Sequence, residues 1–321
     1  MKGVLLMEKK GDTVLCGIIN VTPDSFSDGG EYNSVEAAVE RAGVLIEEGI
    51  TMLDIGGEST RPGSTRVSAK TETERVVPVI KAIRKEFPEI KISVDTFKAE
   101  TAKAAVDAGA HIINDITGFL GDPLMADTVR DTGAEYVLMF NPAIIRPDHE
   151  GSRIFPDFYG NPEIGRETLR KLEDLPITEM MKEFFKLSTE YGINKGIDRE
   201  KIILDPGIGF GLTKAENFTL LKNLDEIGKM GYRSFVGVSR KRFIVNILEE
   251  QGFHVDLKTE KGRDMADMAS AYLTAITSAG SADILRVHTG KYHSTGRIVG
   301  NSIRNAEELE DRNYGSYRRQ K

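Results

Sequence analysis

Eight short runs rich in Val and Ile recur along the chain, and a segment with helical spacing follows each of them. The runs span residues 13–22, 51–57, 91–96, 111–116, 135–140, 201–207, 234–239 and 283–288. Between them, segments such as "SVEAAVERAGVLIEEG" carry apolar residues at three- and four-residue intervals, as one face of a helix does. Apolar strands that alternate with amphipathic helices indicate a parallel sheet covered on both sides. Eight repeats of this unit favour a closed (β/α)8 barrel, the TIM barrel, over an open doubly wound sheet.

The length of the chain fits one α/β barrel domain over residues 1–321, because such barrels commonly run to 200 residues or more as a single domain. Neither a low-complexity segment nor an interdomain linker interrupts the pattern. A long insertion at residues 141–176 follows the fifth run and contains Phe155, Phe158 and Tyr159. A connection of this length usually carries packed structure of its own, as a lid or an interface. The basic tail at residues 311–321 is expected to fray.

The charge balance excludes a general attraction to nucleic acid or to an anionic membrane surface. Lys and Arg number 43 against 50 Asp and Glu, which gives a net charge of −7, so any anion must be bound at a local site. The single cysteine, Cys16, cannot form an internal disulfide, as is typical of a reducing compartment. The N-terminal apolar run is too short for a signal peptide, and no run reaches the length of a membrane span. We therefore expect a cytoplasmic protein without nucleic-acid or membrane partners.

The stretch "LDIGGESTRPGS", residues 53–64, contains more special residues than a simple turn needs. Its glycines let the backbone approach a ligand, and Arg61 offers a planar fork of donors that suits phosphate or carboxylate. A loop closed by an internal ion pair is the alternative interpretation. The segment alone does not separate the two.

Polar side chains stand at the carboxyl ends of most of the predicted strands. They are Asn20, Glu58, Thr60, Arg61, Asp95, Asn114, Asp115, Asp205, Ser239, Arg240, Lys241, Arg286 and His288. In a parallel barrel these ends form one face, where catalytic residues from several loops meet. Single members have simpler explanations, since Asp205 can shape a turn, Ser239 can cap a helix, and His288 can be a core histidine. The set as a whole favours a site, because independent turns would select Gly and Ser more often than Arg, Lys and Asp.

The residue types suit a flat polar heterocycle that carries a phosphate or pyrophosphate. Buried Asp and Asn side chains can pair with a heterocycle edge that offers both donors and acceptors. Arg61, Arg286 and His288 can clamp an anion. Asn20 supplies a neutral oxygen of the kind that Mg²⁺ accepts beside substrate phosphates.

Seven motifs, in the order expected for the family, resemble dihydropteroate synthase. They are "GIINVTPDSFSDGG" at 17–30, "GGESTRPGS" at 56–64, "SVDT" at 93–96, "NDITG" at 114–118, "LDPGIGFG" at 204–211, "SRKRF" at 239–243 and "RVH" at 286–288. The resemblance implies an enzyme of folate biosynthesis that condenses 6-hydroxymethyl-7,8-dihydropterin pyrophosphate with p-aminobenzoate, giving dihydropteroate and pyrophosphate. It also implies Mg²⁺ as cofactor, inhibition by sulfonamides, and a homodimer formed through helices on the far side of the barrel.

The resemblance also implies a role for each matching side chain. It implies that the pterin is surrounded by Asp95, Asn114, Asp205 and Lys241. It assigns Asn20 to Mg²⁺, and the leaving pyrophosphate to Arg61, Arg286 and His288. It implies that p-aminobenzoate is flanked by Thr60, Pro62, Phe210 and Ser239, with Phe26 on a mobile first loop. The residues taken as catalytic are Asp95, Arg61, Lys241, Arg286 and His288.

The family's dissociative mechanism gives these roles a physical basis. The C–O bond breaks first, so the site must stabilise a pterin methylene cation and a departing polyanion together. Asp95 provides negative charge near the cation, while Mg²⁺ and the arginines stabilise the pyrophosphate. The amine of p-aminobenzoate then needs little activation, and we assign no general base.

Several positions depart from the common family pattern. Phe140 and Asn141 replace a His-Met pair and glycine, and Leu212 replaces a Lys. Thr289 stands where the family usually has Asp, and the loss of that carboxylate is expected to change how the His288 ring is held. Two alternatives therefore stay open: a non-catalytic pterin-binding paralogue and, less favoured, a folate-dependent methyltransferase domain.

Overall fold

The structure, a computed structural model, describes residues 11–22, 30–60 and 64–309. Eight parallel strands close into a barrel in sequence order. They are β1 Val14–Asn20, β2 Met52–Gly56, β3 Lys91–Asp95, β4 Ile112–Asp115, β5 Glu135–Met139, β6 Ile202–Asp205, β7 Arg233–Gly237 and β8 Ile284–Val287. Each strand matches a predicted run to within two residues at either end. The predicted (β/α)8 barrel is confirmed.

Twelve α-helices lie in the described part of the chain. They are α1 Gly30–Glu47, α2 Ala69–Glu86, α3 Ala99–Asp107, α4 Met125–Thr132, α5 Pro142–Ile145, α6 Arg166–Arg170, α7 Ile177–Asn194, α8 Lys214–Lys222, α9 Asp225–Lys229, α10 Arg242–Glu250, α11 Glu260–Ala279 and α12 His293–Arg304. Local sequence sets several of their starts. The Ser68 hydroxyl caps α2 by accepting from the Thr71 N–H at 3.1 Å, and Thr213 and Glu216 form a capping box at α8. Among these helices, none combines the length and the apolar character needed to cross a membrane.

The interior of the barrel changes from apolar to polar along the strands. An apolar layer near the amino ends consists of Cys16, Met52, Ile112, Val137, Ile203, Phe235 and Ile284. Side chains two residues apart on a strand point to the same side of the sheet. The layer above it therefore contains the residues two positions later: Asp54 after Met52, Asn114 after Ile112, Asp205 after Ile203 and Arg286 after Ile284. We call these four residues the polar layer, and the apolar layer closes the barrel beneath it.

The 141–176 insertion lies between β5 and α7 and contains the short helices α5 and α6. Its buried apolar residues join the main hydrophobic core; they include Ile144, Phe158, Ile164 and Leu169. Because parallel strands place their carboxyl ends on one face, the insertion starts at the same face as the polar strand ends.

Candidate active site

Four neighbouring strands place one row of residues at the mouth of the barrel. The register pairs Asn20 with Gly56, Gly56 with Asp95, and Asp95 with Asn114. The neighbours lie close together, since a Cβ at Gly56 would be in van der Waals contact with the Cβ of Asp95 at 3.4 Å and with Oδ1 of Asn20 at 3.8 Å. The predicted metal ligand and two predicted pterin residues therefore share one edge of the mouth.

Arg286 connects two carboxylates in the middle of this face. Its Nε donates to Oδ2 of Asp54, and its Nη2 donates to Oδ2 of Asp95 at 2.7 Å. The Asn114 amide donates to the same Asp54 oxygen at 3.1 Å. Asp54 is fully buried, and its Oδ1 has no hydrogen-bond partner in the described part of the chain. Asp54 was not predicted as a site residue, although a carboxylate inside the buried strand "MLDIG" was a usable signal.

The carboxyl groups at the ends of β3 and β6 are both hard to ionise. Burial raises the pKa of Asp95 to about 7, against the opposing effect of Arg286. Burial raises the pKa of Asp205 to about 6, although the Gly207 N–H donates to its Oδ1 at 2.7 Å and Lys241 also favours its charged form. Both groups therefore titrate close to neutral pH, as is common in active sites.

Lys241 closes the other side of the polar layer. Its ammonium donates to the carbonyl of Ile208 at 2.6 Å and lies 5.4 Å from the ring centroid of Phe210, within the range of a cation–π contact. Burial lowers the pKa of Lys241 to about 8, while Asp205 opposes that shift. The lysine is thus mostly protonated at pH 7 and can change charge within a small pH range.

Ser239 and His288 meet at the ends of β7 and β8. The Ser239 hydroxyl lies 3.0 Å from Nδ1 of His288 and also accepts from the His288 backbone N–H at 3.2 Å. Arg41 donates to the His288 carbonyl at 2.6 Å. Ser239 therefore orients the imidazole ring, and its hydroxyl provides no side-chain cap for α10.

Comparison with known proteins decides the family. A family model described as pterin binding enzyme matches residues 16–288. A dihydropteroate synthase of Synechocystis is 40% identical over 277 residues, which are 86% of this chain and 85% of the relative. The chain belongs to the dihydropteroate synthase family. The predicted resemblance, the prediction of a transferase and the synthase function are thereby confirmed.

Solved structures of the dihydropteroate synthase family share the same barrel. The enzyme of Xanthomonas albilineans, solved with 4-aminobenzoic acid, is 33% identical, with a TM-score of 0.74 and coverage of 92% of this chain and 94% of that one. The Yersinia pestis enzyme, solved with a sulfonamide drug complex, is 31% identical, with a TM-score of 0.72 and coverage of 93% and 96%.

Some polar residues at the strand ends serve the fold rather than the mouth. Arg240, at a left-handed φ of 54°, forms a two-pronged ion pair with Asp267 at 2.7 and 2.8 Å. Glu58 pairs with Lys98. Asp115 accepts hydrogen bonds from two nearby hydroxyl groups at 2.6 and 2.7 Å. These contacts hold the loops that carry neighbouring site residues.

The described loops contain part of the predicted p-aminobenzoate site. Thr60 is half-buried at the end of its described loop segment, and Phe210 is half-buried after β6. Phe26, Arg61 and Pro62 lie outside the described residues.

Glu48 supplies a carboxylate near the position where this family usually has Asp. The Thr289 hydroxyl and the Gly290 N–H both donate to Oε2 of Glu48 at 2.7 Å. Thr289 is buried and Glu48 is half-buried, so the bond is partly buried. The turn after His288 is therefore held by a hydroxyl and a carboxylate from the end of α1. Sequence reasoning missed this pair because 241 residues separate its members.

Thr289→Asp is expected to lower the free energy of unfolding by about 1–3 kcal/mol, the cost of a buried polar group without a partner. The new carboxylate would face Glu48 and replace a donor with an acceptor. Thermal unfolding and turnover measure the effect. Thr289→Ser is the matched control and should resemble the parent, and adding Glu48→Gln to Thr289→Asp should restore most of the loss. Parent-like stability of Thr289→Asp would contradict the arrangement.

Proposed function

We propose that the mouth of this barrel joins 6-hydroxymethyl-7,8-dihydropterin pyrophosphate to p-aminobenzoate, with the residues described above in specific roles. The observation that carries the assignment is the convergence of Asp95, Asn114, Asp205 and Lys241 around Arg286. These groups offer both hydrogen-bond donors and acceptors above a closed apolar layer. Such a surface fits a flat heterocycle with a mixed edge.

The pterin ring is held by residues of the polar layer and by Lys241. Asn114 and Asp205 are buried, so their hydrogen bonds to a heterocycle are not weakened by water. Lys241 lies between Asp205 and Phe210, where it can donate to a ring acceptor.

Bond breaking precedes bond making in the proposed reaction. The C–O bond of the pterin methylene breaks, and its electron pair leaves with the pyrophosphate. Asp95 stabilises the resulting cation because Arg286 holds its partly buried carboxylate in a fixed position. The amine nitrogen of p-aminobenzoate then forms the new C–N bond and loses a proton to solvent.

Asn20 fits a Mg²⁺ ion that arrives with the pyrophosphate. The described residues contain no cluster of three His, Cys, Asp or Glu side chains that could hold a metal. Mg²⁺ commonly takes one or two protein oxygens and completes its shell with substrate phosphates and water. Asn20 would be the protein ligand, and Mg²⁺ would supply positive charge to the leaving group. Arg61, Arg286 and His288 would bind the same anion.

The reaction is tested by incubating purified protein with both substrates, with and without Mg²⁺, and measuring dihydropteroate. We expect product that depends on the metal. Binding of the pterin pyrophosphate by calorimetry without any product would instead support the non-catalytic paralogue.

Sulfonamides are expected to compete with p-aminobenzoate. Thr60, Phe210 and Lys241 are the described residues that we assign to this pocket, and a sulfonamide carries the same aniline ring as the substrate. Increasing p-aminobenzoate should therefore raise the apparent inhibition constant in proportion, while increasing pterin pyrophosphate should not. Inhibition that is insensitive to p-aminobenzoate would count against this placement.

We also propose a homodimer that forms through α11 and α12. The exposed apolar residues of these helices are Met268, Tyr272, Ile276, Ile298, Val299 and Ile303. On α11 they recur every four residues and so form one stripe, and Ile276 is 67% exposed. Water-exposed apolar stripes of this kind are typical of protein–protein interfaces.

Ile276→Asp is expected to convert the dimer into a monomer of 35.5 kDa, because the new charge would have to be buried in the interface. Light scattering at micromolar concentration measures the mass. Leu124→Asp, at a 62% exposed position before α4, is the matched control and should leave the dimer intact. A monomeric parent protein would refute the dimer.

A cytoplasmic location is proposed from the cysteine chemistry. Cys16 lies fully buried in the apolar layer, and burial raises the pKa of its thiol well above the ordinary value. A single buried thiol of this kind suits a reducing compartment.

A further inference from the structure

The 141–176 insertion is fastened to the loops that follow β3 and β4. The ring of Phe158 packs edge-on against Phe97, with centroids 5.6 Å apart. The backbone N–H groups of Gly160 and Asn161 both donate to the carbonyl of Leu120, at 2.8 and 3.0 Å. The insertion therefore lies over these loops in a fixed position.

A second contact joins the insertion to the loop after β2, which carries Thr60. Arg66 donates to the carbonyl of Asp157 at 2.8 Å, and its guanidinium lies 5.2 Å from the ring centroid of Phe158. The planar cation thus holds the insertion by a hydrogen bond and by a contact with an aromatic face.

A third contact joins the insertion to the loop after β6, which carries Phe210. Arg146 donates to both carboxylate oxygens of Glu216 at 2.7 Å and to the carbonyl of Gly211 at 3.0 Å. Gly211 has a φ of 61°, and a Cβ there would lie 2.7 Å from the backbone nitrogen of Ala143. The close approach of the two segments thus requires glycine at this position.

The contact nearest to the site is a pair of aromatic rings. Phe155 of the insertion stacks on Phe210, with centroids 5.5 Å apart and planes inclined by 24°. The ammonium of Lys241 lies 5.4 Å from the same Phe210 ring. Phe210 is thus in contact with a catalytic lysine and with the insertion.

We propose that Phe155 is a positioning residue that holds Phe210 in place for p-aminobenzoate, so that the 141–176 insertion sets the affinity for the aromatic amine and for sulfonamides. The proposal rests on the proposed placement of p-aminobenzoate beside Phe210. Phe155 stacks on Phe210, which is assigned to p-aminobenzoate, so we expect its loss to affect p-aminobenzoate more than the pterin.

The test compares Michaelis constants for the two substrates in Phe155→Ala and in the parent enzyme. Removing one partner of a stacked aromatic pair is expected to raise KM for p-aminobenzoate roughly threefold to tenfold. The inhibition constant of a sulfonamide should rise by a similar factor, while KM for pterin pyrophosphate stays within about twofold of the parent. Phe155→Tyr should restore the parent values.

Two further variants distinguish the loss of the Phe155–Phe210 stacking from a general disturbance of the insertion. Ile154→Ala changes the neighbouring residue, which is 58% exposed, and should leave both constants unchanged. Phe155→Leu keeps an apolar side chain and folding contacts without a ring, so a raised KM for p-aminobenzoate in this variant supports the stacking role.

An unchanged KM for p-aminobenzoate in both Phe155→Ala and Phe155→Leu would overturn the proposal. Phe210→Ala then shows where the error lies. A raised KM in Phe210→Ala would keep the p-aminobenzoate pocket and remove only the role of the insertion. Unchanged constants in all three variants would overturn the placement of the pocket as well.

Discussion

Arg286→Met is expected to lower the free energy of unfolding by about 3–5 kcal/mol, the usual cost of removing one partner from a buried ion pair. Arg286 is the cation that contacts both Asp54 and Asp95, and methionine would leave the buried Asp54 carboxylate and the partly buried Asp95 carboxylate without it. Turnover should also fall to background, because Asp95 loses the group that fixes its position. Denaturant unfolding and product formation measure the two effects.

The stability that Arg286→Met loses should depend on pH in a defined direction. A carboxyl group whose pKa is raised in the folded state destabilises the fold when it is ionised. In the parent, the pKa of Asp95 is about 7, and Arg286 is a group that lowers it, so this pKa rises further in Arg286→Met. The part of the loss that comes from Asp95 therefore grows as the pH rises above 7 and disappears below pH 7. Arg233→Met is the control, because its partly exposed pair with Glu135 should contribute only about 0–1 kcal/mol. Equal losses in the two variants would contradict the special role of Arg286.

The barrel could be predicted because its signal is local and repeated. Each strand is a short apolar run, and each helix shows its own spacing, so strand bounds such as Glu135–Met139 follow from nearby residues alone. The register is different, since the pairing of Gly56 with Asp95 depends on the tilt of all the strands. The sequence therefore predicts that polar side chains gather at one face of the barrel, but it does not predict which of them are in contact.

The contacts of the site could be predicted only in part, because they join residues that are far apart in the chain. Arg286 was predicted to clamp an anion, and in the structure it is paired with Asp54 and Asp95, which lie 232 and 191 residues away. Asp54 was missed because it lies inside a strand, where a single charged residue gives no indication of its partner. The stacking of Phe155 on Phe210 was equally invisible, since neither residue belongs to a periodic pattern.

Asp95→Asn is expected to lower turnover roughly 10²- to 10³-fold, the usual cost of losing one fixed electrostatic contact with the transition state. Asparagine keeps the shape of the side chain and can still pair with the substrate, so the affinity for pterin pyrophosphate should change by less than about threefold. The effect appears in turnover because the negative charge matters most when the methylene cation forms. Steady-state kinetics and calorimetry of the pterin substrate measure the two quantities.

The pH profile supplies a second test of the same residue. The active enzyme needs ionised Asp95 and protonated Lys241, so kcat/KM should fall below about pH 7 and above about pH 8. Asp95→Asn should remove the acid limb and keep the basic one. Lys241→Arg, which stays charged, should remove only the basic limb. If Asp95→Asn lowers pterin affinity and turnover by the same factor, Asp95 only binds the pterin. Its charge would then have no separate role in stabilising the methylene cation.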